Sequence, residues 1–316
     1  MSSPCLGTVG STPSKWRELL LKPADFPFTF GTNERTVQHG VYCQARIHPA
    51  KPLTLVLGGR VAFLQDRTQS TLPSVSDRTT NAQINHRFLS SAALLWDIVP
   101  SLTAYANYSR ILDAQPDTTY SGVGLPPRTG EQYEVGLKGS FLGGRMNTTT
   151  ALFRINDDNR AVDDPDHQYY YIAAGKARDQ GFELEVTGQS MPDWNVYAGY
   201  THLNETFEND TPNLTDETDP KHLFKLWTNY RFSQGPLRGM SIGGGMLAQT
   251  WISRGVEQGG YAIFNAQVGY RFNKLVEASL QLNDLCNRGY YIRPPGSFYS
   301  VFGDRRNAML TVRSDF

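Results

Sequence analysis

Apolar and polar residues alternate along residues 130–141. The apolar positions are Tyr133, Val135, Leu137 and Phe141, and the polar positions between them are Glu134, Lys138 and Ser140. Side chains of a β-strand point to opposite faces with a period of two, so this stretch predicts a strand with one apolar and one polar face. Gly143 and Gly144 then supply the positive φ angles of a tight turn. Residues 145–156 follow as the return strand, and the whole stretch predicts a β-hairpin.

The same patterning continues through most of the chain and predicts about thirteen strands. Each is close to the ~9–11 residues of a tilted membrane strand. They are expected at 38–47, 53–65, 86–97, 101–111, 130–141, 145–156, 178–189, 194–204, 222–232, 239–251, 261–271, 275–284 and 306–316. Residues 1–37 contain four prolines and no sustained period. We therefore expect an irregular segment at 1–37 and a partial β-barrel at 38–316.

The connections between the predicted strands alternate in length. Short turns are expected at 48–52, 98–100, 142–144, 190–193, 233–238 and 272–274. Long polar loops are expected at 66–85, 112–129, 157–177, 205–221, 252–260 and 285–305. A soluble sandwich has no physical reason to sort its loops in this way. Bacterial outer-membrane barrels have short periplasmic turns and long extracellular loops, so the alternation favours an antiparallel transmembrane β-barrel.

Composition narrows the function classes. Lys and Arg together number 30, as do Asp and Glu, so the formal net charge of the 316-residue chain is zero. A neutral chain offers no electrostatic argument for a nucleic-acid partner. The longest purely apolar run, at 92–96, is far shorter than the ~20 residues of a spanning helix. Three widely spaced cysteines have no metal-ligand spacing, so no metal site is predicted.

Twelve short stretches occur in order across 38–316, among them GEQYEVGLKG at 130–139 and QGFELEVTG at 180–188. The others lie at 40–46, 57–60, 104–109, 151–155, 194–200, 220–227, 259–261, 270–274, 282–285 and 290–291. Each is a weak signal alone, but in their order and spacing they resemble TonB-dependent ferric-siderophore outer-membrane receptors of the hydroxamate, coprogen and pyoverdine-type branch. The resemblance implies a location in the bacterial outer membrane, a ferric siderophore as ligand, and energy from the TonB–ExbB–ExbD system.

The resemblance also implies a 22-stranded barrel that encloses a plug. This sequence predicts only about thirteen strands. We find no recognisable plug, no TonB box and no signal peptide in it. An odd number of strands leaves open edges in lipid, where backbone groups have no partners. We therefore expect the C-terminal part of such a barrel, unable to transport a siderophore alone.

Candidate ligand-contacting residues lie in the predicted long loops. An anionic or neutral chelate is held at a barrel mouth by arginine donors and aromatic faces. The residues of these types are Tyr169, Tyr170, Tyr171, Trp251, Arg254, Tyr290, Tyr291, Arg293, Phe298 and Tyr299. The alternative for Tyr169–171 is a strand start or part of an interfacial aromatic belt.

No enzyme motif stands out in the sequence. The acidic stretch 157–166 lacks the spacing of an EF-hand loop and predicts a solvated loop. His167, His202 and His222 occur singly, and no nucleophile elbow or phosphate-binding loop follows a strand. We expect a protein that is not an enzyme and has no cofactor besides the siderophore ligand. A passive outer-membrane pore, an outer-membrane enzyme and a soluble β-sandwich binding module are the alternatives.

Overall fold

The computed structural model describes residues 29, 31–115, 117–208, 219–253, 257–293 and 301–314. These residues form strands, turns and loops, with no helix among them. Thirteen of the strands make one antiparallel sheet: β1 (Gly31–Ala50), β2 (Leu53–Leu72), β3 (Thr79–Val99), β4 (Leu102–Asp113), β5 (Arg128–Phe141), β6 (Met146–Asp163), β7 (Tyr171–Met191), β8 (Trp194–Glu208), β9 (His222–Arg231), β10 (Met240–Gln249), β13 (Tyr261–Arg271), β14 (Val276–Asn283) and β17 (Asn307–Ser314). Two short hairpins, β11 (Ile252–Ser253) with β12 (Glu257–Gln258) and β15 (Tyr291–Arg293) with β16 (Val301–Phe302), lie in the connections.

If the two short hairpins are left out, each strand of the large sheet pairs with the strands that precede and follow it in the sequence. This continuous order confirms the predicted all-β, antiparallel architecture of about thirteen strands. It also shows that the soluble β-sandwich alternative is wrong, because that fold would divide the strands between two packed sheets. No helix capable of crossing a membrane occurs in the part of the chain that the structure describes.

The strands are longer than the alternating pattern predicts at one end of the sheet. β2 reaches Leu72 and β7 begins at Tyr171, so the 66–85 and 157–177 regions are largely strand and only partly loop. The prediction of a solvated loop at 157–166 was therefore wrong for its first part, since β6 continues to Asp163. Apolar and polar residues alternate where one face of a strand lies in lipid and the other in the lumen. Where both faces meet water the alternation is lost, although the backbone hydrogen bonds between strands continue.

The start of the sheet also differs from the prediction. β1 begins at Gly31, whereas the pattern predicts a first strand from residue 38. The proposed division between 1–37 and 38–316 stays a prediction, because residues 1–28 lie outside the described part of the chain. Two compact units are distinguished in the fold. The larger comprises Thr36–Asp66 and Thr80–Phe316, and the smaller includes the described residues 31–35 and 67–79.

The β5–β6 hairpin has the predicted turn and a clear division of faces. Gly143 and Gly144 have φ angles of 68° and 87°, which a tight turn requires. Leu137 lies opposite Thr150, and Val135 lies opposite Leu152, so these four side chains share one face. Lys138 pairs with Thr149, and Glu134 pairs with Phe153, on the other face. Ala151, Phe153 and Ile155 therefore belong to the polar face, where small and apolar residues are interspersed among charges.

Much of the apolar face is exposed in the middle of the sheet. On β5 alone, Tyr133, Val135, Leu137 and Phe141 are 42–51% exposed. The same face continues onto later strands through the exposed residues Leu152, Phe264, Val268, Leu280, Leu310 and Val312. Soluble monomers rarely expose contiguous apolar patches beyond a few hundred Å². A surface of this kind is suited to contact with lipid.

Two groups of aromatic residues border this apolar face. At the end with short turns, Tyr230 packs against Trp194 and Phe232, and Tyr270 packs against Phe272. At the opposite end, Tyr108 contacts Tyr133 and Phe182 contacts Tyr200. From Tyr133 to Phe141 the strand advances about 26 Å at ~3.3 Å per residue, before tilt. At the ~35–45° tilt of barrel strands this length spans roughly 20 Å along the membrane normal, close to the ~25 Å apolar band between the aromatic girdles of outer-membrane barrels.

A charge placed on the apolar face should destabilise the sheet in a membrane. We expect Leu137→Lys to lower the free energy of unfolding by ~2–4 kcal/mol, the cost of a lysine near the middle of the bilayer. The measurement is denaturant unfolding in lipid vesicles. Thr149→Lys is the matched control, because Thr149 lies on the polar face between Lys138 and Glu185. Equal destabilisation by both substitutions would contradict the assignment of faces.

Candidate functional site

The polar face carries a network of charged and aromatic groups halfway along β4 to β9. The Tyr105 hydroxyl donates a hydrogen bond to Glu134, and the Lys138 ammonium lies 4.9 Å from the centre of the Tyr105 ring. A cavity of about 240 Å³ opens beside them. Its lining includes Glu183, Glu185, Tyr197, Thr201 and Lys225. Because these side chains alternate with lipid-facing ones, the polar face is the surface available to water-soluble groups.

A second charged group lies on the same strands, closer to the long connections. Arg128 forms an ion pair with Asp157, and Arg160 Nη1 lies 3.2 Å from Glu205 Oε1. Asp179 lies directly across the strand pair from Glu205. One carboxylate oxygen of Asp179 and one of Glu205 are buried without a hydrogen-bond partner among the described residues. Three acids with two arginines give this level of the wall a dense, nearly balanced set of charges.

The connection between β4 and β5 is fixed onto the end of β6 by a buried glutamine. Gln115 Nε2 donates to the carbonyl oxygens of Pro126 and Asn159 at 2.6 and 2.7 Å. Its Oε1 accepts from the Ala161 backbone N–H at 2.8 Å. Leu125 beside it is almost fully buried. Hydrogen bonds made by a buried side chain fix a loop, because breaking them leaves its polar atoms without partners.

An aromatic cluster lies where this connection meets the loop between β6 and β7. The rings of Tyr120 and His167 stack with centroids 3.8 Å apart, and Tyr170 meets Tyr120 edge-on at 5.2 Å. The Tyr171 N–H donates to the Thr118 carbonyl at 3.1 Å and joins the two loops. We call Tyr120, His167 and Tyr170 the loop aromatic cluster. Stacked and edge-on rings in a partly open site are suited to packing against a flat or conjugated ligand.

Carboxyl groups flank the loop aromatic cluster. Asp164 Oδ2 lies 3.0 Å from His167 Nδ1. The pKa of Asp164 is lowered, first by the hydrogen bond from the Asp166 N–H and then by the His167 side chain. Burial raises the pKa of Asp117, in the adjacent loop. Asp164 is thus held as an anion that orients the histidine ring, while Asp117 is held less firmly in its charged form.

Further aromatic pairs lie in the last long connections. Tyr261 and Tyr290 have ring centroids 4.7 Å apart, and Tyr291 and Phe302 have centroids 4.6 Å apart. The Tyr291 N–H donates to Gln258 Oε1 at 3.3 Å, which links β15 to β12. These contacts join the described parts of both connections beside the start of β13.

The predicted site residues lie in different surroundings. Tyr170 joins Tyr120 and His167, while Tyr290 and Tyr291 each pack against another ring. Tyr169 is 79% exposed with a φ of 72°, and Tyr171 begins β7, the strand start that was its alternative. Trp251 is exposed beside β11. Arg254, Phe298 and Tyr299 and the side chain of Arg293 lie outside the described residues. All of these positions stay predictions as ligand contacts.

Several residues of the site were not singled out from sequence. Tyr120 and Gln115 lie in a stretch without period, and only contact with the 164–170 loop gives them a role. His167 has no metal-ligand spacing in the sequence, although Asp164 three residues earlier is a local signal for a paired ring. Within the described ranges, no group of three or more His, Cys, Asp or Glu side chains is placed to hold a metal ion.

Comparison with known proteins gives consistent matches. A family model described as TonB dependent receptor-like, beta-barrel, matches residues 8–285. The Ferric-pyoverdine M114 receptor of Pseudomonas sp. strain M114 is 36% identical over 299 residues, covering 88% of this chain and 36% of that protein. The Ferripyoverdine receptor of Pseudomonas aeruginosa is 30% identical, covering 90% of this chain and 36% of that protein.

Solved structures agree with the sequence matches. The pyoverdine outer membrane receptor of Pseudomonas aeruginosa PAO1, bound to pyoverdine, superposes with a TM-score of 0.76 at 29% identity. The match covers 90% of this chain and 43% of that one. The chain thus spans well under half the length of these relatives. The resemblance drawn from the short sequence stretches is confirmed.

Gln115 should control the attachment of the β4–β5 connection. We expect Gln115→Ala to remove the hydrogen-bond partner of one backbone N–H and two carbonyls, at a cost of ~0.5–1.5 kcal/mol for each lost bond. Amide hydrogen exchange should then accelerate at Ala161 and Tyr171, while the middle of β5 stays protected. Ser121→Ala, on an exposed turn of the same connection, is the control. Unchanged exchange in Gln115→Ala would rule out this role.

Proposed function

Because the chain belongs to the TonB-dependent receptor-like β-barrel family, we propose that it forms barrel wall and extracellular loops of a receptor for ferric siderophores. The observation that carries the proposal is the 36% identity to a ferric-pyoverdine receptor over 88% of the chain. The exposed apolar band and its two aromatic girdles support the same conclusion from physical grounds.

The chain is located in the bacterial outer membrane, as its family is. This family consists of receptors and transporters rather than enzymes. Its members in general bind ferric siderophores and work with TonB. For this chain, we propose a ferric siderophore as the ligand, no resident cofactor and no enzymatic activity. The energy for import would come from the TonB–ExbB–ExbD system acting on the whole receptor.

The loop aromatic cluster is the proposed contact for the siderophore. It lies at the end of the sheet with long connections, which is the extracellular side in outer-membrane barrels. Tyr120 and Tyr170 offer ring faces and hydroxyls, and the hydrogen-bonded loops already hold them in position. A preorganised site loses less conformational entropy when a ligand binds. The remaining predicted contacts, from Trp251 to Tyr299, would extend the site along the later connections.

Removal of either tyrosine ring should weaken siderophore binding. We expect Tyr120→Ala and Tyr170→Ala each to reduce the affinity for ferric pyoverdine about 3- to 10-fold, since an aromatic pair contributes ~0.5–1.5 kcal/mol. Titration of the purified chain in detergent, followed by quenching of intrinsic fluorescence, measures the change. Phe141→Ala, an aromatic deletion at the opposite end of β5, should bind like the unaltered chain. Equal affinities in all four proteins would contradict the proposed contact.

These 316 residues alone should not import a siderophore. Within the described residues, β1 and β17 each pair on one side only, so both edges present backbone groups without partners. Such edges cost several kcal/mol for each unpaired group in lipid. We expect expression in a siderophore-producing strain that lacks its receptor to give no growth under iron limitation. A full-length ferric-pyoverdine receptor serves as the positive control, and growth rescue by the chain would overturn the prediction.

A further inference from the structure

A basic cleft lies at the opposite end of the sheet from the loop aromatic cluster. It opens between the turn that joins β9 to β10 and the turn that joins β13 to β14, and its volume is about 540 Å³. This volume falls within the ~300–1,000 Å³ range of small-molecule sites. The residues that define it are Arg231, Phe232, Arg238, Tyr270, Phe272 and Lys274, with Arg271 at the same rim. We call it the rim cleft.

Positive charge is in excess at the rim cleft. Arg231 Nη2 lies 3.2 Å from Glu277 Oε1, and Arg271 Nη2 lies 2.8 Å from Glu277 Oε2, so one carboxylate serves two guanidinium groups. Arg238 and Lys274, both exposed in the turns, form no ion pair among the described residues. Four cations and no carboxylate lie among the described lining residues, and the adjacent Glu277 pairs with two of these cations, so the surplus is suited to an anionic group.

The other wall of the rim cleft is aromatic and continuous with the lipid-facing surface. Phe232 meets Tyr230 edge-on at 5.0 Å, and Phe272 meets Tyr270 at the same distance. Tyr230 and Tyr270 lie on the apolar face, in register with Ile242 and Met240 respectively. The cleft thus has one side at the girdle, where the membrane interface lies, and one side of arginine and lysine donors.

We propose that the rim cleft binds the phosphate headgroup of an anionic phospholipid in the periplasmic leaflet of the outer membrane. Arg238 and Lys274 would donate to the phosphate oxygens. The rings of Phe232, Tyr270 and Phe272 would pack against the glycerol and the first methylene groups of the acyl chains. Short turns lie on the periplasmic side of outer-membrane barrels, so the cleft faces the headgroups of that leaflet. This inference depends on the membrane orientation and not on the identity of the siderophore.

Two features favour a lipid over other anions. The donors and the aromatic wall match the two ends of a phospholipid, a charged phosphate and an apolar glycerol ester region. Anionic lipids also attract clustered Lys and Arg next to a membrane, by ~1 kcal/mol for each residue. A free phosphate or an acidic peptide would use only the cationic side of the cleft, and each is therefore an arm of the test.

Native mass spectrometry of the purified chain in detergent measures the binding directly. The probes are dioleoyl phosphatidylglycerol, dioleoyl phosphatidylethanolamine, soluble glycerophosphoglycerol, inorganic phosphate and a poly-glutamate peptide. We expect one phosphatidylglycerol to bind each chain, and the Arg238→Gln, Lys274→Gln double variant to bind it about 30-fold more weakly. Lys51→Gln with Arg145→Gln is the matched control, because both residues are exposed cations in other short turns of the same end.

The outcomes separate the possible occupants. Retained binding in the control pair, with loss in the Arg238 and Lys274 variant, supports the proposal. Equal loss in both pairs would show general attraction at the rim and overturn it. If phosphatidylethanolamine, glycerophosphoglycerol or inorganic phosphate bound with the same affinity as phosphatidylglycerol, the assignment to an anionic lipid would be overturned. Displacement of the lipid by lower concentrations of poly-glutamate would assign the cleft to an acidic peptide instead. Unchanged circular dichroism and heat-modifiable gel mobility confirm that each variant is folded.

Discussion

The hydrogen-bond ladder between neighbouring strands is the constraint on which the rest of this structure depends. Hydrocarbon offers no partner for a backbone N–H or C=O, so a spanning sheet must satisfy these groups internally. The described pairs from β3 to β17 run in unbroken register through the band between the aromatic girdles. Register shifts occur near the short turns, at 97/99 and 189/191, and beyond the upper girdle, at 157/160 and 160/162. Irregular backbone is confined to positions where water or headgroups can supply partners.

This constraint explains which parts of the fold could be predicted. Inside the band, Val135 and Leu137 face lipid while Glu134 and Lys138 face the lumen, so the period of two is enforced by two different solvents. All thirteen strands of the sheet were predicted for this reason. Beyond the band the enforcement ends, and the long extension of β7 from Tyr171 towards residue 178 left no alternating signal. Its ladder with β6 and β8 persists because pairing needs the backbone and not a particular side-chain pattern.

The candidate site was less predictable than the sheet, for a related reason. Sequence reasoning selected tyrosines and arginines by type, and Tyr170 proved to be part of a cluster. Its partners Tyr120 and His167 lie far apart in the sequence, and no local period connects them. Gln115 carries no chemical signature that distinguishes it from an exposed glutamine. Its role arises only because three backbone groups of two connections converge on one side chain.

The distribution of charge shows why whole-chain composition was a poor guide to partners. Equal numbers of basic and acidic residues give no net charge, which removes the electrostatic case for nucleic acid. That balance conceals a difference between the two ends of the strands. Asp157, Asp179 and Glu205 lie towards the long connections together with Arg128 and Arg160, whereas four cations line the rim cleft beside one glutamate. Charges are screened over ~8 Å at physiological ionic strength, so the charges at one end of the strands have little effect on molecules at the other end. The rim cleft is positive beside the lipid headgroups, and the opposite end combines paired charges with aromatic rings.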